Sequence, residues 1–90
     1  MRTNDDLDYT PSEINVIGRN AAEAEGEVER YIDRAFLAGL PRVRIVHGTG
    51  MGVLRRTLRE FLKGHPHVAT FAEAAQSEGG QGATLVELRQ

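Results

Sequence analysis

Ninety residues, 40% of them hydrophobic, with a net charge of −2, leave room for one domain with one modest core. No apolar run approaches the ~18 residues of a membrane span, and no secretory pattern opens the chain. Cysteine is absent, which excludes disulfides, a thiolate nucleophile and Cys-ligated zinc, and predicts a soluble, cytoplasmic protein or fragment. The small net charge conceals an asymmetry. Residues 1–36 hold four arginines against nine carboxylates, whereas residues 37–67 hold six basic side chains against Glu60 alone. A polyanionic partner therefore remains open, with its contacts expected in the middle third of the chain.

Residues 1–12 are polar, acidic and interrupted by Pro11, and predict a flexible linker or tether ahead of a domain over 13–90. Ile14, Val16 and Ile17 form a short apolar stretch, a first strand closed by Gly18. Asn20 caps a helix, with Glu23 in capping-box register. Ala21, Ala24, Val28, Ile32, Ala35 and Phe36 recur at helical spacing, and Gly39 and Pro41 end the helix. Val43, Ile45 and Val46 predict a buried second strand. After a loop from His47 to Gly52, a second helix is expected to carry Met51, Leu54, Leu58, Phe61 and Leu62 on one face and to stop at Gly64. Val68 to Phe71 is a weaker strand, Glu73 to Gly82 a glycine-bearing loop, and Ala83 to Leu88 a final strand. The order βαβαββ predicts an α/β fold of the α+β type, a two-layer sandwich of two helices on a mixed four-stranded sheet.

The segment from Val43 to Lys63 carries the chemistry. Glycines at 48, 50 and 52 free the backbone to turn sharply, and their amides, with Thr49 between them, open onto the positive end of the following helix. Two readings fit: a phosphate cradle, or a tight turn that merely needs glycine. A dinucleotide fingerprint is excluded because the third glycine comes one residue early, and a P-loop because Gly-Lys-Ser/Thr is missing. Arg55, Arg59 and Lys63 stand at i, i+4 and i+8, an arrangement whose mutual repulsion a bound polyanion would relieve. With Arg44 and Arg56 they form the candidate phosphate-binding set, Arg56 being partly balanced by Glu60. The contrary reading is a solvated helix face.

His47 ends the second strand, where it suits either proton transfer at a phosphate or a hydrogen bond that holds the loop. His65-Pro66-His67 lacks a carboxylate or cysteine at ligand spacing, so no metal site and no cofactor are expected in this domain; a divalent-metal requirement of any nuclease activity is left undetermined. Gly79-Gly80-Gln81-Gly82 reads as a turn or as a second backbone approach to a ligand, which makes Gly80 and Gly82 weaker candidates.

With these segments placed, residues 13–90 resemble the Smr (small MutS-related) domain. The resemblance rests on Ile14-Asn15-Val16-Ile17-Gly18, on Ala35-Phe36-Leu37-Ala38-Gly39, on Val43 through Arg55 with its His-Gly-x-Gly element, on His65-Pro66-His67-Val68, and on Gly79-Gly80-x-Gly82-Ala83-Thr84-Leu85-Val86-Glu87-Leu88. It is most similar to the C-terminal domain of the bacterial MutS paralogue that suppresses recombination and acts on collided ribosomes. The resemblance implies the fold of a translation initiation factor's C-terminal domain, binding to DNA or structured RNA, nicking endonuclease activity, and a parent chain that carries a MutS-like ATPase. The family's first motif usually reads Leu-Asp-x-His or Leu-Asp-x-Arg before glycine, and here Asn15 and Ile17 stand at its polar positions, with Glu13 and Arg19 the nearby substitutes. Two expectations follow: a nuclease with His47 as general acid–base, or a non-catalytic module that docks on ribosomal RNA, the ribosome or a protein partner.

Overall fold

The computed structural model describes residues 9–90. Four strands and two α-helices alternate as β1 (Glu13–Asn15), α1 (Ala21–Leu37), β2 (Arg42–Val46), α2 (Val53–Lys63), β3 (Val68–Glu73) and β4 (Ala83–Leu88), with two 3-10 turns between β3 and β4. The sheet order is β1-β2-β4-β3, so the last strand inserts at the centre. β1 runs parallel to β2 through the α1 crossover, while β4 is antiparallel to both its neighbours, which makes the sheet mixed as expected.

Both helices cover one sheet face. Val43 and Ile45 on β2 and Val86 and Leu88 on β4 point inward, against Ala24, Val28, Ile32 and Ala35 of α1 and Leu58 and Leu62 of α2, in a single buried cluster. Period-two alternation turns Arg42, Arg44 and Leu85 to the opposite, open face. There Arg42 pairs with Glu87 and Arg44 with Glu13.

α1 begins in a complete capping box. The Glu23 amide donates to Asn20 Oδ1 at 2.8 Å, and the Asn20 amide donates to Glu23 Oε1 at 3.2 Å. Of the expected linker, residues 1–8 lie outside the described residues, and residues 9–12 run against the domain. The Tyr31 hydroxyl donates to the Pro11 carbonyl at 2.6 Å, and the Arg44 amide donates to the Ser12 carbonyl at 2.9 Å. Burial pushes the Tyr31 hydroxyl up to about 12, with the Glu13 carboxylate adding to the effect.

Three local expectations change. β1 stops at Asn15; Val16 stays fully buried, but Ile17 turns outward ahead of Gly18. Met51 is not on the second helix, because Gly52 takes a left-handed φ of 81° and α2 starts only at Val53; its side chain is 91% exposed. Glu60 pairs with Lys63 at 3.6 Å rather than balancing Arg56. The two later histidines pack against aromatic rings: His67 stacks on Phe36 at 3.8 Å and meets Asp33, while His65 stands edge-on to Phe61.

Candidate functional site

β2 delivers His47 to the edge of the core, and the chain then turns through three glycines in left-handed conformations, Gly48 (φ 78°), Gly50 (φ 36°) and Gly52 (φ 81°). An L side chain at any of these would be strained. The turn closes with a hydrogen bond from the Gly52 amide to the Thr49 carbonyl, 2.9 Å. α2 starts directly on Gly52 with no side-chain cap and no acidic residue in its first turn. The contrast with the fully capped α1 is informative, since uncapped amides and an unopposed helix dipole make the α2 terminus electropositive.

The loop is held from behind. The amides of His47 and Gly48 both donate to the Gly82 carbonyl at 2.9 Å. A Cβ on Gly82 would lie 3.6 Å from Gly48 Cα, in ordinary contact, so the backbone of residue 82 packs directly behind that of residue 48. Gly80 is buried, and its amide donates to the Ala75 carbonyl. The close backbone approach made by the 79–82 segment is thus to the chain itself.

His47 is only 4% exposed. Its Nδ1 lies 2.9 Å from the Gly48 carbonyl oxygen and its Nε2 lies 2.9 Å from Thr84 Oγ1. A carbonyl oxygen only accepts, so this network assigns the proton of the neutral ring to Nδ1, leaving Nε2 to accept from the Thr84 hydroxyl. Burial lowers the affinity of the ring for a second proton; the Gly48 bond works against that, and the nearby Arg55 and Arg59 guanidinium groups add to it. Both ring nitrogens are engaged within the fold. The sequence offered no sign of Thr84 as a partner beyond a hydroxyl at an inward position of β4.

The basic candidates separate into two groups. Arg44 lies on the open sheet face, within 2.6 Å of Glu13, on the other side of the sheet from α2. Arg19 pairs with Glu27 at 2.9 Å, and Asn15 accepts the Ile17 amide at 2.9 Å to shape the turn after β1. None of these three joins the glycine loop. Arg55, Arg56, Arg59 and Lys63 stay together on α2. Arg55 donates to Glu73 at 3.3 Å, and no carboxylate partner of Arg56 or Arg59 occurs among the described residues. The Nε atoms of Arg55 and Arg59 are buried with no hydrogen-bond acceptor. An unanswered charged donor of this kind costs ~1–3 kcal/mol or more unless a ligand supplies the acceptor. No cluster of three or more metal-ligating side chains exists among the described residues.

A family model described as the Smr domain matches residues 14–89. The chain belongs to the Smr family. It is 49% identical over 76 residues to endonuclease MutS2 of Caldicellulosiruptor bescii, covering 84% of this chain and 10% of that protein. Against endonuclease MutS2 of Clostridium botulinum it is 47% identical over 78 residues, covering 87% and 10%. The chain thus spans about a tenth of the length of the curated relatives it matches. Among solved structures, the Smr domain of Thermus thermophilus MutS2 superposes with a TM-score of 0.87 at 40% identity, covering 89% of this chain and all of that one. YdaL, a stand-alone small MutS-related protein of Escherichia coli, gives 0.83 at 27% identity, covering 88% and 65%. The two-helix, mixed-sheet architecture of this Smr domain is therefore that of its relatives. Among its described residues, no helix is long and apolar enough to cross a membrane.

Proposed function

We propose that this Smr domain is a nucleic-acid-binding module of a longer MutS2-like protein, reading the phosphate backbone of DNA or structured RNA with α2 and the loop before it. The observation that carries the reading is the unanswered positive charge of α2, where Arg56 and Arg59 have no carboxylate partner among the described residues and the helix starts without a side-chain cap or an acidic residue. Phosphate oxygens accept charge-assisted bonds from the guanidinium ends of Arg55 and Arg59, Arg56 and Lys63 extend the track, and the uncapped α2 amides receive a further phosphate through Gly48, Thr49, Gly50 and Gly52. Arg44, on the sheet face opposite α2, and Arg19, which pairs with Glu27 and does not join the glycine loop, contribute long-range field rather than contact. The test is affinity against salt. Arg55→Ala and Arg59→Ala should each lower the slope of log affinity against log salt by about one unit, with similar losses on unrelated sequences. Salt slopes equal to the parent's would refute the proposal.

In this reading His47 positions the loop, since neither ring nitrogen is free to move a proton without breaking a bond. The name endonuclease borne by the relatives favours a second reading, strand nicking. Nicking of supercoiled plasmid, with magnesium and with chelator, separates the two. Cleavage by the parent domain that falls ~10²-fold or more in His47→Ala would make His47 the acid–base group. Binding without cleavage in both proteins leaves a module that docks on nucleic acid, ribosomal RNA included.

A further inference from the structure

Five large apolar side chains are exposed among the described residues, and three of them surround one shallow groove: Ile17 (53% exposed), Met51 (91%) and Val53 (46%). The groove measures about 320 Å³ and is otherwise lined by Gly18 and the remaining residues of 47–54. Ile17 reaches across from the β1–α1 turn, so that a Cβ on Gly48 would touch its Cγ1 at 3.4 Å. Apolar surface left in water gains from being covered, so the grouping of these side chains at the mouth of the glycine loop calls for an occupant.

Charge identifies the occupant. The groove opens on the uncapped amides of α2, whose first turn holds no acidic residue. The Arg56 guanidinium lies 3.7 Å from the place a Gly52 Cβ would fill. A ligand that fits must present an anion and an apolar surface side by side, as a nucleotide does with its phosphate and the face of its base. In a duplex those faces are stacked away and only base edges are offered. An unpaired or extruded base exposes them.

We propose that the Ile17–Met51–Val53 rim receives the face of an unpaired nucleobase whose own phosphate lies on the glycine loop, so that the domain prefers unpaired strands to duplex. The inference rests on the nucleic-acid reading above. Met51, flexible and polarisable, accommodates any of the bases, so the preference is for strandedness and not for sequence.

The test compares the full chain, Met51→Ser combined with Ile17→Ser, and Arg55→Ala combined with Arg59→Ala, by anisotropy on labelled oligo(dT), oligo(U) and a blunt duplex of the same length. Removing the rim should weaken single-strand binding roughly tenfold and cut the single-strand over duplex ratio, while the arginine pair should weaken all three probes. Met51→Leu alone, which keeps the apolar surface, should retain the parent's ratio. Equal losses on single strands and duplex, or none on either, with the arginine variant still impaired, overturn the rim assignment and leave that surface for a protein partner. Failure of the parent chain to bind any probe at low salt overturns the nucleic-acid reading itself. Thermal melts check that each variant remains folded, which the exposure of Met51 and Ile17 leads one to expect for the rim variant.

Discussion

Thr84→Val tests whether His47 is a clamp. Valine keeps the shape of threonine but removes the hydroxyl that donates to Nε2 across 2.9 Å, in a place where Thr84 is 1% exposed and His47 4%. The loss leaves a buried acceptor unanswered, at a cost of ~1–3 kcal/mol. For a domain of this size 1 kcal/mol corresponds to roughly 4–8 °C, so a cost near ~2 kcal/mol lowers Tm by about 8–16 °C. Thr84→Ser separates the hydroxyl from packing, since it keeps the donor and loses only a buried methyl, ~1 kcal/mol. The second assay is the long-range nitrogen–proton correlation of the His47 ring. All three proteins should report proton occupancy at Nδ1, where the Gly48 carbonyl holds it, and in the valine variant the Nε2 signal should shift because its hydroxyl donor is gone. If valine melts with the parent and the ring signals do not move, the hydrogen bond does not hold the loop and the positioning role assigned to His47 fails.

Two further outcomes follow from the structure. The His47 ring binds its second proton less readily in the fold than in the unfolded chain, where its pKa is near ~6.5. The unfolded state therefore takes up more protons as pH falls, so this contribution to stability is fully present above ~6.5 and is lost as pH falls from there towards the lower folded-state value. Urea unfolding across that range should show the loss in the parent and a flatter profile in His47→Gln; identical profiles would contradict the burial argument. Asn20→Ala removes the bond that the Glu23 amide donates to the Asn20 side chain, leaving the backbone half of the capping box, and should cost ~1 kcal/mol, read as a Tm fall of roughly 4–8 °C. An unchanged melting curve would mean that the cap is redundant.

Much of the fold was legible because it depends on local periodicity. Ala24, Val28, Ile32 and Ala35 recur at helical spacing and do bury one face of α1, and the β-branched Val43 and Ile45 do sit in the core. The Asn20–Glu23 box and the βαβαββ order needed nothing beyond nearest-neighbour chemistry. Legibility ended where a single backbone angle decides. Met51 fits the apolar face of α2 by spacing, yet the left-handed turn at Gly52 leaves it in water. Ile17 fits the first strand by composition and is likewise turned out, ahead of Gly18 at φ 89°.

The candidate site divides the same way. That three glycines precede a basic helix, and hence that a strand–loop–helix unit with an electropositive end exists, can be read from chain order alone, because those properties belong to residues adjacent in the chain. Which basic side chains remain available was decided only by the tertiary structure. Strand pairing brings Glu13 to Arg44 and Glu87 to Arg42 on the open face, while Glu73 approaches Arg55 and no carboxylate among the described residues reaches Arg59. Insertion of β4 at the centre of the sheet places Thr84 on His47 and Gly82 behind Gly48, across 37 and 34 positions of chain. Ion pairs and buried hydrogen bonds depend on distances of a few ångströms, and between residues far apart in the chain only the packed sheet and helices set those distances.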